Sequence, residues 1–302
     1  MVTFSVIIPA YNVRNYIIVA IQSLLAQVFQ DYEIICVDDC SIDGTAEILK
    51  NYAEENEKIR VLSTEKHIGP GEARNIALKA AQGKYIACLD ADDVADKNFL
   101  QAAYEKLEET GVSSVWVKAK IYWENDNKIT PMFTFPILQN QPEGFLELTP
   151  DNITDYPAYS WYKFLRKDSI KENIYWSHNL LFEDVEFYYR YYTQNPLVYV
   201  IDKPLYLYRR RRNSIMGQSI VDVNYHKNLF YVTENIYNFL IENDLFEKYK
   251  KALLKLCVQN ISEYEGFENI RPVLRETVNS CLANIHFPEK YNDLKMTLPY
   301  LD

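Results

Sequence analysis

The chain has little glycine, histidine or cysteine, no long apolar run and no excess of positive charge. Each shortage excludes something. The five cysteines (Cys36, Cys40, Cys88, Cys257 and Cys281) are odd in number and scattered, which rules out a disulfide framework and reads as reduced thiols in a reducing compartment. Cys36 and Cys40 have no second Cys/His pair at zinc spacing, so a zinc site is not expected. No stretch approaches the roughly 18 apolar residues of a membrane span. The first nine residues carry no basic segment of the kind that opens a signal peptide. A cytoplasmic protein is the expectation, with the inner face of the membrane as a compatible workplace. The net charge of −10 argues against a general nucleic-acid binder.

Much else is ordinary: 302 residues, 48% hydrophobic and 25% charged, fit a soluble globular protein of one large domain with room for an appendage. Tyrosine is abundant at 25 residues. Aromatic platforms for sugars and a compositional habit both account for it.

The first 120 residues alternate strand and helix signals. Apolar runs at 4–9, 32–37, 59–62 and 85–89 read as strands, and helical spacing occupies 16–28 and 71–81. A further helix starts near Asp43, a plausible N-cap. The rhythm predicts a mostly parallel sheet flanked by helices. A helix over 95–109 leads to a strand over 113–123. Residues 125–141 read as a loop, 197–208 as a strand pair, and the character turns helical after about 219. Two units follow: 1–218, and a helical appendage over 219–302.

Polar clusters fall at three strand ends, where such sheets bind ligands. They are Asn12, the pair Asp38 and Asp39, and Asp90-Ala91-Asp92-Asp93. A buried strand that stops in carboxylates is costly unless a cation shares them. Hard oxygen ligands suit Mn²⁺ or Mg²⁺, which usually arrives with phosphates. In extended chain Asp90 and Asp92 project to one side and can serve one ion, while Asp93 reads as a helix cap. Farther along, Glu183-Asp184 reads either as an acidic helix N-terminus or as a general-base pair. His178 nearby is a second candidate base.

These segments resemble glycosyltransferase family 2, the inverting GT-A sugar-nucleotide transferases. The resemblance rests on Ser5–Asn12, Val37–Thr45, Gly69–Asn75, Leu89–Asp93, Phe182-Glu183-Asp184 and Tyr208-Arg209 with Ser214-Ile215-Met216, in that order. It implies an α/β GT-A fold, Rossmann-like, over residues 1–218. It also implies a UDP-sugar donor (glucose, galactose or an N-acetylhexosamine), a glycan or lipid-linked glycan acceptor, and Mn²⁺ or Mg²⁺ as cofactor. By the same resemblance Pro9, Ala10, Tyr11 and Asn12 wrap the nucleoside, and Asp39 takes the base, with Asp38 as the alternative. Arg74 meets the base or a phosphate. Asp92 binds the metal directly, with Asp90 and Ala91 beside it. Arg209 and Arg211 meet the diphosphate, from a run of four arginines that does not reveal which one serves. Asp184 is the base and Glu183 its partner. Trp161, Tyr162, Tyr159, Trp176 and His178 face the acceptor, and for the rings core packing competes with that role.

Three rivals remain at this stage. A sugar-1-phosphate nucleotidyltransferase would need a Gly-rich loop where Pro9-Ala10-Tyr11-Asn12 stands. A non-catalytic binding module would have lost an Asp at 90, 92 or 184, and all three are present. A GDP-sugar transferase differs only in the base. The amphipathic appendage offers a homodimer contact, a peripheral membrane contact (Phe230, Tyr231 and Phe246 with Lys248, Lys250 and Lys251) or a buttress for the sheet.

Overall fold

A computed structural model describes residues 2–132, 136–178, 180–211 and 223–262. Strands β1 (Phe4–Ala10), β2 (Tyr32–Asp38), β3 (Ile59–Ser63) and β4 (Tyr85–Cys88) run parallel in the order β3-β2-β1-β4. β1, β2 and β4 are buried almost throughout, as strands covered on both faces must be. The crossovers are helices α1 (Ile17–Leu25), α2 (Thr45–Glu55) and α3 (Pro70–Ala80). α1 lays Ile17, Ala20, Ile21 and Leu24 into the core, the i, i+3, i+4, i+7 stripe its sequence carries. α2 begins after Gly44, whose φ of +95° suits glycine. Asp43 caps it from one residue further out, accepting from the N–H of Thr45 at 3.0 Å and its hydroxyl at 2.6 Å.

Beyond β4 the sheet becomes mixed. β5 (Val94–Ala95), helix α4 (Phe99–Thr110), β6 (Ser114–Trp123), β7 (Lys128–Pro131), helix α5 (Pro136–Asn140) and β8 (Gly144–Glu147) follow in sequence. Then come β9 (Lys163–Arg166), helix α6 (Glu183–Tyr192) and β10 (Leu197–Arg210). The sheet continues β4-β9-β6-β10-β5, with β9 antiparallel to both neighbours.

Three expectations are corrected. The 125–141 stretch holds a strand and a short helix, because residues 128–131 pair with the end of β6. Residues 197–210 form one strand, whose register against β6 shifts on either side of Pro204, a residue with no N–H to give the ladder. The helix expected from 95 starts at Phe99, because Val94 and Ala95 pair with Leu207 and Tyr206.

Helices α7 (Val223–Glu242) and α8 (Phe246–Ser262) close the described chain. Val232, Ile236, Phe239 and Leu240 of α7 are buried in the core that the sheet also builds. Asn235 adds a 2.9 Å hydrogen bond to Glu186 of α6. The proposed boundary at 219, the motif Ser214-Ile215-Met216, Arg212, Cys281 and the helical spacing over 270–285 lie outside the described residues. Among the described residues no helix is long and apolar enough to cross a membrane. The four described cysteines are free, and burial pushes the Cys36, Cys88 and Cys257 thiols up to about 12. Such thiols are inert.

Candidate active site

The carboxyl ends of β1, β2 and β4 open on one edge of the sheet, and the backbone there is unusual. Asn12 (φ +50°), Cys40 (φ +62°) and Phe182 (φ +65°) adopt left-handed conformations that side chains rarely take. Such conformations persist only where the surroundings impose them, and they gather at functional sites. At Asn12 the cause is visible. Its N–H donates to the Ser41 hydroxyl at 3.0 Å and its side-chain oxygen accepts from the Ile42 N–H at 2.9 Å. The Pro9–Asn12 turn is thus knitted to the loop after β2, with the Tyr11 ring 43% exposed beside it.

Asp39 is buried and holds the 64–69 loop. Oδ1 accepts from the Thr64 hydroxyl and the Ile68 N–H, both at 2.9 Å. Oδ2 accepts from the Gly69 N–H at 2.8 Å and faces His67 Nδ1 at 2.7 Å. The His67 ring in turn stacks on Tyr11, centroids 3.9 Å apart and planes 20° apart. Asp38 is also buried; its Oδ2 takes a long 3.4 Å bond from the Ser41 N–H, and Oδ1 has no hydrogen-bond partner.

Asp90, Asp92 and Asp93 turn out to have different jobs. Asp90 Oδ1 accepts from Arg74 Nη2 at 2.9 Å, and Asp92 Oδ2 from Arg211 Nε at 2.8 Å. Asp93 was expected to cap a helix. Instead it faces β10, accepting from the Tyr206 hydroxyl at 2.6 Å and the Arg209 N–H at 2.7 Å. Arg209 also donates to the Asp92 carbonyl at 2.8 Å. Burial raises the Asp90 carboxyl to about 6; Arg74 pulls it down, while the Asp184 and Asp92 charges push it up. Burial likewise holds Asp93 well above the carboxylate range. Burial and the neighbouring Asp92 and Asp184 charges disfavour the Asp90 carboxylate, and a hard divalent cation would relieve them. Asp90 and Asp92 therefore fit Mn²⁺ or Mg²⁺, although no cluster of three or more side-chain ligands occurs among the described residues.

The second carboxylate pair comes from the first turn of α6. Phe182 turns the chain so that Glu183 and Asp184 open the helix, where its dipole favours negative charge. Arg74 Nη1 donates to Glu183 Oε1 at 2.6 Å and lies 3.7 Å from Asp184 Oδ1. The Arg74 side chain is 4% exposed, and both Nη atoms are held by carboxylates. Burial and the Asp184 charge raise Glu183 to about 7, against the pull of Arg74. Asp184 Oδ1 accepts from the Ser160 hydroxyl at 2.5 Å and the Trp176 indole N–H at 3.2 Å. Gly71 lets α3 approach this corner: a Cβ there would meet the Ser177 carbonyl at 2.6 Å and Glu183 at 3.0 Å.

The aromatic residues expected to face the acceptor mostly do not. Trp176 is fully buried and stacks on Phe187 at 3.9 Å. Trp161 (3% exposed) is stacked among Tyr159, Tyr206 and Tyr208, and Tyr162 is 1% exposed. These rings support the site from the core; their burial leaves no face for a pyranose. Tyr159 is half-buried, and His178 is exposed, its Nδ1 2.5 Å from Glu72. Lys163 was not anticipated. It lies buried among the rings of Trp116, Tyr162, Tyr188 and Tyr192, and donates to the Pro157 and Tyr159 carbonyls at 2.8 and 2.7 Å. Burial lowers its pKa well below the usual lysine value. It anchors the turn that presents Ser160. Neither Ser160 nor His67 carries a sequence signal, since a lone Ser or His in a loop looks like any other.

A model of glycosyl transferase family 2 matches residues 5–174. GlyG, a glycosyltransferase of Streptococcus pneumoniae serotype 4, is 30% identical over 223 residues, spanning 70% of this chain and 72% of that protein. The poly(ribitol-phosphate) beta-N-acetylglucosaminyltransferase TarS of Staphylococcus aureus is 38% identical over 123 residues, 40% of this chain but 21% of TarS. The crystal structure of TarS 1–349 with UDP-GlcNAc superposes with a TM-score of 0.72 at 25% identity, covering 93% of this chain and 80% of that one. A mannosyltransferase of Pyrobaculum calidifontis shares the fold alone, with a TM-score of 0.56 at 14% identity. With three strand-end motifs on one sheet edge and a family match over more than half its length, the chain belongs to glycosyltransferase family 2 and has the GT-A fold.

Proposed function

We propose that this transferase moves a hexose or N-acetylhexosamine from a UDP-sugar, with inversion, to a hydroxyl of a glycan or lipid-linked glycan of the bacterial surface. One observation carries the reading. Arg74 ties Asp90, on the donor side, to Glu183 and Asp184, on the acceptor side, so both carboxylate pairs face one reaction space. The likeness to TarS, solved with UDP-GlcNAc, supports the uridine donor.

Pro9–Asn12 and the Asp38-Asp39 pair form the nucleoside end. A bound Mn²⁺ or Mg²⁺, held by Asp92 with Asp90 beside it, would supply Lewis-acid charge to the leaving diphosphate. Arg209 and Arg211 stand on Asp92, close enough to share that anion by charge-assisted hydrogen bonds. Asp184 is the general base. Its Oδ1 is held by Ser160 and Trp176, which leaves Oδ2 to take the acceptor's proton as the new glycosidic bond forms and the sugar–diphosphate bond breaks. Glu183 keeps Arg74, and through it Asp90, in register with that base.

UDP release from UDP-GlcNAc, UDP-glucose and UDP-galactose in the presence of Mn²⁺ tests the proposal. Turnover of one donor that disappears in Asp184→Asn, with the fold intact, supports it. Turnover unchanged in Asp184→Asn, or seen only with GDP-mannose, overturns the base or the donor assignment respectively.

A further inference from the structure

His67 makes two contacts that would otherwise be unconnected. Its Nδ1 lies 2.7 Å from Asp39 Oδ2, and the face of its ring stacks on Tyr11 at 3.9 Å. A flat ring with a nitrogen against a buried carboxylate and one face on a tyrosine is how a pyrimidine would be held there: the uracil N3–H would take Asp39 and the ring would take Tyr11. The two ligands exclude each other, because the His67 ring already occupies the space against Asp39 Oδ2 and the face of Tyr11. The two oxygens of Asp39 accept three bonds, from Thr64, Ile68 and Gly69 of the loop, and His67 Nδ1 stands against Oδ2. Those three are built into the fold. The contact with His67 belongs to a side chain that is 51% exposed and borders water.

We propose that His67 is a built-in nucleobase mimic, which fills the base position of the free protein and must leave before a uridine nucleotide can bind. The inference rests on the reading of this edge as the UDP end of the donor site. It makes His67 a determinant of nucleotide affinity: the observed Kd is the intrinsic one divided by the fraction of molecules in which the ring is out. Loop residues 64–69 keep their other three bonds to Asp39 when the ring leaves, so the site need not be rebuilt. Diphosphate groups bind elsewhere on the edge and are indifferent to His67.

The test is calorimetric titration of the full chain, wild type and His67→Ala, with UDP and with inorganic pyrophosphate, each with Mn²⁺. Removing the contact to Asp39 and the ring stack should tighten UDP about three- to tenfold and leave pyrophosphate unchanged. The wild-type protein alone gives a second readout. It has four histidines, and the His67 ring protons should leave their ring-current-shifted position over Tyr11 when UDP is added, but not when pyrophosphate is added. UDP binding with the His67 signal unmoved, or weaker UDP binding in His67→Ala, overturns the mimic and spares the functional reading. Failure of both proteins to bind UDP overturns the two together. Should His67→Ala not fold, the wild-type spectra decide.

Discussion

Arg74 Nη1 donates to Glu183 Oε1 across 2.6 Å, joining residues 109 positions apart. The same guanidinium reaches Asp90 at 2.9 Å, so a single buried cation fixes the spacing of Asp90 and the Glu183-Asp184 pair. Removing it leaves several carboxylates buried without a counter-charge. Arg74→Ala is therefore expected to lower stability by about 3–5 kcal/mol, the usual cost of breaking a buried pair from one side. Denaturant unfolding checks this, and a loss below about 1 kcal/mol would contradict the buried network.

Ser160 and Trp176 hold Asp184 through Oδ1, which leaves Oδ2 for the proton transfer proposed above. Hydrogen bonds to charged groups contribute about 1.5–3 kcal/mol, so Ser160→Ala should lower kcat roughly 10- to 100-fold. UDP affinity should be unchanged, because the base lies outside the nucleotide end. Equal losses in kcat and UDP binding would place Ser160 in the donor site instead.

Glu183 gives the stability a specific pH dependence. Its carboxyl is raised from 4.5 to about 7, chiefly by burial. Between those values the folded chain keeps a proton that the unfolded chain has lost, so stability falls as pH rises through the window. Relative to Glu183→Gln, whose amide does not titrate, the wild type should lose about 1–3 kcal/mol between pH 4.5 and 7.5. Thermal unfolding of the two proteins at both pH values measures the difference; a flat or rising difference would show that Glu183 is ionised throughout.

Gly71→Ala tests the close approach of α3 to the base. The added methyl would press on the Ser177 carbonyl at 2.6 Å, a backbone atom that cannot swing aside. A loss of about 1–3 kcal/mol is expected, as for other overpacked positions, together with reduced kcat because Glu183 shifts. Unchanged stability would mean the 177–183 segment yields freely.

Much of this architecture is written in local patterns. The alternation of apolar strand runs and amphipathic helices through residue 123 survives in the structure, and so does the placing of Asn12, Asp38, Asp39 and Asp90 at strand ends. What local patterns do not carry is partnership across the chain. Arg74 reads as a ligand to the donor, and its two carboxylate partners, 16 and 109 positions away, show only in the fold. Asp93 reads as a helix cap until Tyr206 arrives from β10. Trp161, Tyr162 and Trp176 read equally as an acceptor platform or as core, because hydropathy cannot tell a buried ring from a presented one. The strand at 128–131 was hidden because its pairing with β6, not its own composition, makes it a strand.

The central claim is a division of labour: the strand-end carboxylates bind the donor and Asp184 does the chemistry. Calorimetric titration of UDP into wild type, Asp92→Ala and Asp184→Ala, with Mn²⁺ and again with EDTA, tests it most directly. The account predicts Mn²⁺-dependent UDP binding that is lost in Asp92→Ala and kept at wild-type strength in Asp184→Ala. UDP binding that survives in Asp92→Ala and ignores EDTA would contradict it.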